Sequence, residues 1–204
     1  MITQDGKILG IDRSGKGRIA VYNLDGKLIR RIGKLPVKLQ KTELAPQHSH
    51  GFWGELAYKN KTGEIFLALQ IGSIIEKYDF RSGKLLATYY GPELFFPAYE
   101  IVPAGDYYTI KYNKRTRYGY LDIQYSKSLD KIFLLYSGKP FYSKKGEIWS
   151  GAFTNVVYVL DGTGKITRET KLDRQVHNIR LGPDGSFLYG STENEILKFK
   201  YNSR

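Results

Sequence analysis

The sequence predicts an all-β protein built from repeated four-stranded antiparallel units. Three observations point there. A hairpin pattern recurs along the chain. Aromatic residues make up 14% of the chain and Gly occurs 22 times, a mixture suited to pleated strands joined by tight turns. No stretch of ten or more residues has a helical period that is not better read as strand.

Four segments share one turn-and-strand pattern. They begin at Tyr22, Tyr78, Tyr125 and Tyr158. Each reads as a strand ending near Tyr, a short polar turn, then a second strand that starts near Lys. Asp25-Gly26 and Ser82-Gly83 supply hairpin turn chemistry. The chain then runs into Leu197-Lys-Phe-Lys-Tyr201, the first half of a fifth copy. The mean spacing of these tyrosines is about 45 residues, within the ~40–50 of propeller blades. A second hairpin recurs in phase at Gly6-Lys-Ile-Leu, Gly63-Glu-Ile-Phe, Gly146-Glu-Ile-Trp and Gly185-Ser-Phe-Leu. A sandwich also has many short strands, but it does not repeat one hairpin at a fixed long period. Radial packing of four-stranded sheets does. The expected architecture is therefore a β-propeller in one domain over residues 1–204, with about five blades visible.

In chain order, the first blade starts near its second strand, with only Met1–Gln4 before it. The second blade runs Phe52–Tyr58, Glu64–Gln70, Ser73–Asp79 and Lys84–Tyr90. The third is expected at Ala98–Pro103, Tyr107–Tyr112, Tyr118–Tyr125 and Lys131–Tyr136. The fourth covers about 141–172 and ends on the hairpin Val156–Leu160 and Lys165–Lys171. The fifth, Val176–Tyr201, has three strands.

Composition narrows the function classes. Apolar residues make up 41% and charged residues 25%, a globular mixture. Cys is absent, so disulfides and thiolate metal sites are excluded. No apolar run reaches the 18 residues of a membrane span, and no signal peptide is visible at Met1–Gly10. Formal charge is +12, of which residues 1–50 carry +6 and residues 101–150 carry +5. Such a basic surface suits an anionic partner or simply a Lys-rich solvated face.

Residues 5–33 resemble an NHL repeat, in the Asp5-Gly6 start, the Arg18-Ile-Ala-Val-Tyr22 strand, the Asp25-Gly26-Lys27 turn and the closing Ile32-Gly33. Taken whole, the chain resembles the NHL-like and TolB-like six-bladed propellers, found in many bacterial proteins. The resemblance implies turns and core strands, not chemistry. It admits a periplasmic or cell-envelope location. It also implies ring closure by strands from both ends. Here the first blade lacks a full inner strand and the last lacks an outer one. The expectation is the C-terminal part of a longer six-bladed ring, with an imperfectly closed five-bladed ring or an edge-paired dimer as the other arrangements.

Candidate sites are few. Tyr107–Tyr120 interleaves aromatic and basic residues, and Lys111, Lys114, Arg115 and Arg117 form the best anion-binding candidate. The plain alternative is a hairpin with a charged tip. Gln47–Trp53 lies in the loop leading to the second blade, where His50 and Trp53 could meet a ligand. A zinc site needs three or four ligands, and one other His, His177, lies in a different blade. His177 and Arg180 sit near the innermost strand of the last blade and form a modest pocket candidate. Glu55 and Glu100 are the nearest acids for a channel reaction. Phe95-Phe96-Pro97 is expected as core between blades. Asp161-Gly-Thr-Gly-Lys165 lacks the spacer and helix of a phosphate loop. No metal or cofactor is expected. The leading reading is a non-enzymatic propeller binding a protein or carbohydrate. A polyanion or RNA binder, as the resemblance also permits, and a hydrolase or lyase with a channel site are the alternatives.

Overall fold

The computed structural model describes residues 1–37, 41–142 and 151–201. Strands β1 (Ile8–Ile11), β2 (Ile19–Tyr22) and β3 (Leu28–Ile32) form the first blade. Met1–Thr3 adds a stub beside β1: Ile2 bridges Ile8, and the Leu9 N–H donates to the Met1 carbonyl at 2.8 Å. A short helix α1 (Ala45–Gly51) leads into β4 (Gly54–Lys59), β5 (Glu64–Leu69), β6 (Ile74–Asp79) and β7 (Leu85–Tyr90), the second blade. Then come β8 (Tyr99–Ala104) and β9 (Tyr107–Tyr112), which pair only with each other. The third blade is β10 (Tyr120–Ser126), β11 (Lys131–Tyr136), β12 (Thr154–Leu160) and β13 (Ile166–Val176). The last is β14 (Asn178–Leu181), β15 (Phe187–Ser191) and β16 (Ile196–Lys200).

The β-propeller reading holds, with a correction to residues 98–172. The two strands expected to open the third blade, β8 and β9, are an inserted hairpin. The strands expected as its outer pair, β10 and β11, are its inner pair, and the last hairpin assigned to a fourth blade completes it. The described residues thus form five sheets, four of them blades. Burial explains the difference. Inner strands are covered on both faces by neighbouring blades, and β5 and β11 are buried at every residue after the first. Residues on β8 and β9 are all partly or wholly exposed. Tyr22, Tyr78 and Tyr158 fall at the ends of third strands and Tyr201 just after one, whereas Tyr125 falls at the end of an inner strand. Gly146 lies outside the described residues. Gln47–Gly51, expected as loop, is helical, with Pro46 in the first turn, where no N–H partner is needed.

Successive side chains of a strand point to opposite faces, and the core follows that rule. On β11, Ile132, Leu134 and Tyr136 pack with Ala57, Phe66 and Ile75 of the second blade. Phe133 and Leu135 pack with Ile179, Leu188 and Tyr201 of the last. Leu9, Ile19 and Val21 meet Ile65 and Tyr78 across the first boundary. Each fully buried Leu, Ile or Phe contributes about 1.5–3 kcal/mol of transfer free energy.

An ion pair also crosses each boundary. Arg18 of the first blade meets Glu76 of the second at 2.9 Å. Lys59 of the second meets Asp130 of the third at 2.8 Å. Asp122 of the third meets Arg180 of the last at 2.6 Å. The turn between the two inner strands explains one oddity. Gly6, Gly63 and Gly185 occupy it with φ of 70–75° in three blades, and in the other blade Asp130 takes φ 50°.

Candidate functional site

The innermost strands β4, β10 and β14 stand side by side. Facing them is a pocket of about 530 Å³ whose lining includes Glu55, Tyr58, Asp122, Gln124, Tyr125 and Arg180. Asp122 is the keystone. Its Oδ1 accepts from the Ile123 N–H at 2.8 Å and the Gln124 Nε2 at 3.0 Å. Its Oδ2 accepts from the Ile179 N–H at 2.8 Å and the Arg180 guanidinium at 2.6 Å. Its side chain is 7% exposed while that of Arg180 is 64% exposed. Arg180 therefore keeps a solvent-facing surface after its pairing. Glu55 is partly buried, and no hydrogen bond or ion pair reaches its carboxylate among the described residues. Burial pushes the Glu55 carboxyl above its usual range and the Asp122 charge adds to this, while Arg180 pulls it back.

The structure thus joins Arg180 to Asp122 and Glu55. Sequence reasoning missed Asp122. Its signal was a carboxylate between Leu121 and Ile123 in a strand that otherwise reads as core.

His177 lies apart from that pocket. Its Nε2 is 3.2 Å from the Ser191 hydroxyl, and its ring packs edge-on against Phe153 at 5.5 Å. His50 and Trp53 are 6.2 Å apart between ring centroids, with Arg13 5.3 Å over the indole. Desolvation and the Arg13 charge hold the His50 imidazole below its ordinary pKa. His50, Arg13 and Gln47 share a cleft of about 400 Å³ with Tyr108, Ile110 and Tyr112 of β9. His48 instead bonds the Tyr99 hydroxyl at 2.8 Å. No group of three or more His, Asp or Glu among the described residues is placed to hold a metal.

The four expected anion-binding residues differ in their surroundings. Lys114 and Arg115 are exposed at the tip after β9, where the Asn113 side chain accepts from the Arg115 N–H at 2.9 Å. Lys111 is exposed on β9, opposite Glu100 of β8. Arg117 is braced: it donates to the Gly138 carbonyl at 2.8 Å, meets Glu93 at 2.6 Å and lies 4.5 Å over Phe95. Two arginines of the basic N-terminal quarter are engaged as well. Arg30 donates to the Phe80 and Arg81 carbonyls and Arg31 pairs with Asp12 at 2.9 Å. Phe95 packs against the core, whereas Phe96, expected there with it, is 59% exposed.

A family model described as TolB-like 6-blade propeller-like matches residues 2–182. The chain belongs to that family. No curated protein matches it. Among solved structures, the TolB-like chain is similar to Kuenenia stuttgartiensis hydrazine synthase, with TM-score 0.58 and 10% identity over 98% of this chain and 44% of that one. It is similar to Saccharomyces cerevisiae Sqt1, with TM-score 0.53 and 11% identity over 97% of this chain and 42% of that one. It is also similar to the WD40 β-propeller domain of Doa1, with TM-score 0.54 and 13% identity over 100% of this chain and 50% of that one. At such identities the likeness shows the fold alone. The chain spans half or less of each of these structures. No helix of the described residues is long and apolar enough to cross a membrane.

Proposed function

We propose that this TolB-like chain is a non-enzymatic binding propeller that takes a small polar ligand, a carbohydrate, against its innermost strands. The observation that carries this reading is the division of labour in the 530 Å³ pocket. Asp122 is committed to four protein donors, which positions Arg180 and removes Asp122 as a reactive acid. Arg180 and Glu55 remain to meet a ligand. A sugar hydroxyl donates to a carboxylate and accepts from a guanidinium, so one ligand uses both. Tyr58 and Tyr125 line the same pocket, and aromatic side chains there supply apolar surface with a polar tip for a sugar ring. Reaction chemistry would need a second acid or base within reach of Glu55, and Asp122 is not free to serve.

The test is calorimetric titration with a panel of neutral and acidic mono- and disaccharides. Binding weakened about tenfold by Arg180→Ala and by Glu55→Gln is expected, as for a lost hydrogen bond to a charged group. No binding by any sugar in the panel, or binding indifferent to both substitutions, would overturn the reading.

A second reading, a polyanion or RNA surface, rests, among the expected anion-binding residues, on the exposed Lys111, Lys114 and Arg115, since Arg117 is held by protein partners, as are Arg30 and Arg31. Three such cations give a weak, salt-sensitive contact.

A further inference from the structure

A cavity with mostly apolar walls lies away from the inner-strand pocket, between the outer strands of the second blade and the chain that leaves β3. Its volume is about 630 Å³, the size of sites for drug-sized molecules. On one side, β6 turns Ile74, Glu76 and Tyr78 to it and β7 turns Leu85, Thr88 and Tyr90. The register explains the set, because Ile74 pairs with Tyr90, Glu76 with Thr88 and Tyr78 with Leu85. Lys34, Leu35, Pro36, Phe52 and Phe96 close the other sides, Lys34 being exposed. Leu85, Tyr90 and Phe96 are each more than half exposed, an unusual concentration of large apolar surface on one patch.

The polar group in this wall is unusual. Glu76 is 5% exposed. Its Oε2 accepts from Arg18 Nε at 2.9 Å and from the Tyr78 hydroxyl at 2.8 Å. Its Oε1 has no hydrogen-bond partner among the described residues. Arg18 is 1% exposed, and its Nη1 donates to the Phe52 carbonyl at 2.7 Å while its Nη2 is buried without a partner. Arg18 Nη2 is the buried unpaired atom of the pair, whereas Glu76 Oε1 is not closed off from solvent and is left as a free acceptor on the cavity wall.

We infer that this inter-blade cavity is a binding site for an aromatic or alicyclic alcohol or phenol, whose hydroxyl donates to Glu76. The chemistry sets the class. The walls want an apolar body. The charge of Glu76 is already balanced by Arg18, so a cationic head would bring an unpaired charge into an apolar pocket. An anionic head would face the carboxylate, a repulsion that the exposed, solvent-screened Lys34 on the same lining offsets only in part. A neutral donor meets the open Glu76 oxygen and adds no charge.

The probes are 2-naphthol, 2-methoxynaphthalene and 2-naphthoate, followed by saturation-transfer NMR and calorimetry on the full chain. The expected result is binding of 2-naphthol, at least tenfold weaker binding of the methyl ether, which lacks the donor, and none of the naphthoate. Thr88→Trp, on the exposed outer strand, fills the cavity and abolishes binding with the melting temperature kept. Should that variant misfold, Tyr90→Ala weakens binding several-fold by removing a wall. Arg180→Ala, in the channel pocket, leaves naphthol binding unchanged, which separates this site from the sugar site. Equal binding of naphthol and its methyl ether would overturn the inference. So would no binding of naphthol, or binding untouched by the cavity variants.

Discussion

Lys59 Nζ stands 2.8 Å from Asp130 Oδ1, and that contact ties the second blade to the third. Lys59 is buried to 7% exposure of its side chain, whereas Asp130 is 47% exposed. The Tyr125 hydroxyl donates to the same oxygen at 2.9 Å. Lys59, followed by Tyr125, holds the Asp130 carboxyl below its usual range. Asp130 sits at φ 50°, the position that three other blades give to Gly. The turn gives up conformational ease and gains an inter-blade clasp.

Asp130→Gly therefore sets two effects against each other. Relief of the positive φ stabilises by at most about 1 kcal/mol. Leaving the Lys59 ammonium buried and unpaired costs about 1–3 kcal/mol. The expected outcome in urea unfolding is a net loss. Adding Lys59→Met should recover most of it, because a buried pair replaced by apolar packing is close to neutral. A fully stable single Asp130→Gly variant would show that the clasp does not hold the blades.

The Arg18–Glu76 pair is buried on both sides, at 1% and 6% side-chain exposure. Glu76→Ala strips the guanidinium of its acceptor and should lower stability by about 3–5 kcal/mol. Glu76→Gln keeps one carbonyl acceptor and should cost less. Burial, followed by the Glu76 charge and hydrogen bond, raises the Tyr78 hydroxyl far above its ordinary pKa. That phenol should stay protonated in a spectrophotometric titration of the native protein at pH 11, and ionise at a lower pH in the Glu76→Gln variant than in the parent, with burial still holding it above an exposed tyrosine.

The hairpins were legible in the sequence because their turn chemistry is local: Asp25-Gly26, Ser82-Gly83 and the strands around them appear where expected. Their grouping into blades was less so. Tyr125 imitates the marker tyrosines in spacing but ends an inner strand. The better guide was the match of Glu64-Ile-Phe-Leu-Ala-Leu69 to Lys131-Ile-Phe-Leu-Leu-Tyr136, since strands covered on both faces are apolar without alternation. At the inner-strand pocket, the sequence already placed Arg180 beside the innermost strand of the last blade. Asp122 was not, because its importance comes from Ile179 and Arg180, more than 50 residues away. The bracing of Arg117 was hidden for the same reason: its partners Glu93 and Gly138 are distant in sequence.

Arg117 and the Lys114–Arg115 tip should separate cleanly in experiment. Arg117→Ala removes two hydrogen-bonding partners and the stacking on Phe95. It should cost roughly 1–2 kcal/mol in stability and leave elution from a heparin column little changed. Lys114→Ala with Arg115→Ala should leave stability within about 0.5 kcal/mol and shift elution to lower salt. If Arg117→Ala alone moved the elution as far, the guanidinium would belong to an anion site after all.

Glu55 gives a pH dependence that can be worked out from its direction alone. Burial, then the Asp122 charge, raises its carboxyl above the ordinary 4.5 in the folded protein. Below pH 4.5 folded and unfolded chains both carry the proton. As pH rises through 4.5 the unfolded chain loses it first, so the folded state holds more protons and stability falls with pH until the raised folded pKa is passed. Above that point the loss is complete and constant. Glu55→Gln has no carboxyl to ionise and escapes the loss. Thermal unfolding should therefore find the variant more stable than the parent at pH 7 and no more stable at pH 4. A sugar hydroxyl donating to the ionised carboxylate would offset the same loss, so added ligand should narrow the gap between variant and parent at pH 7. A gap that is equal at pH 4 and pH 7 would mean that the substitution acts through packing, and that Glu55 is not the strained acid of this pocket.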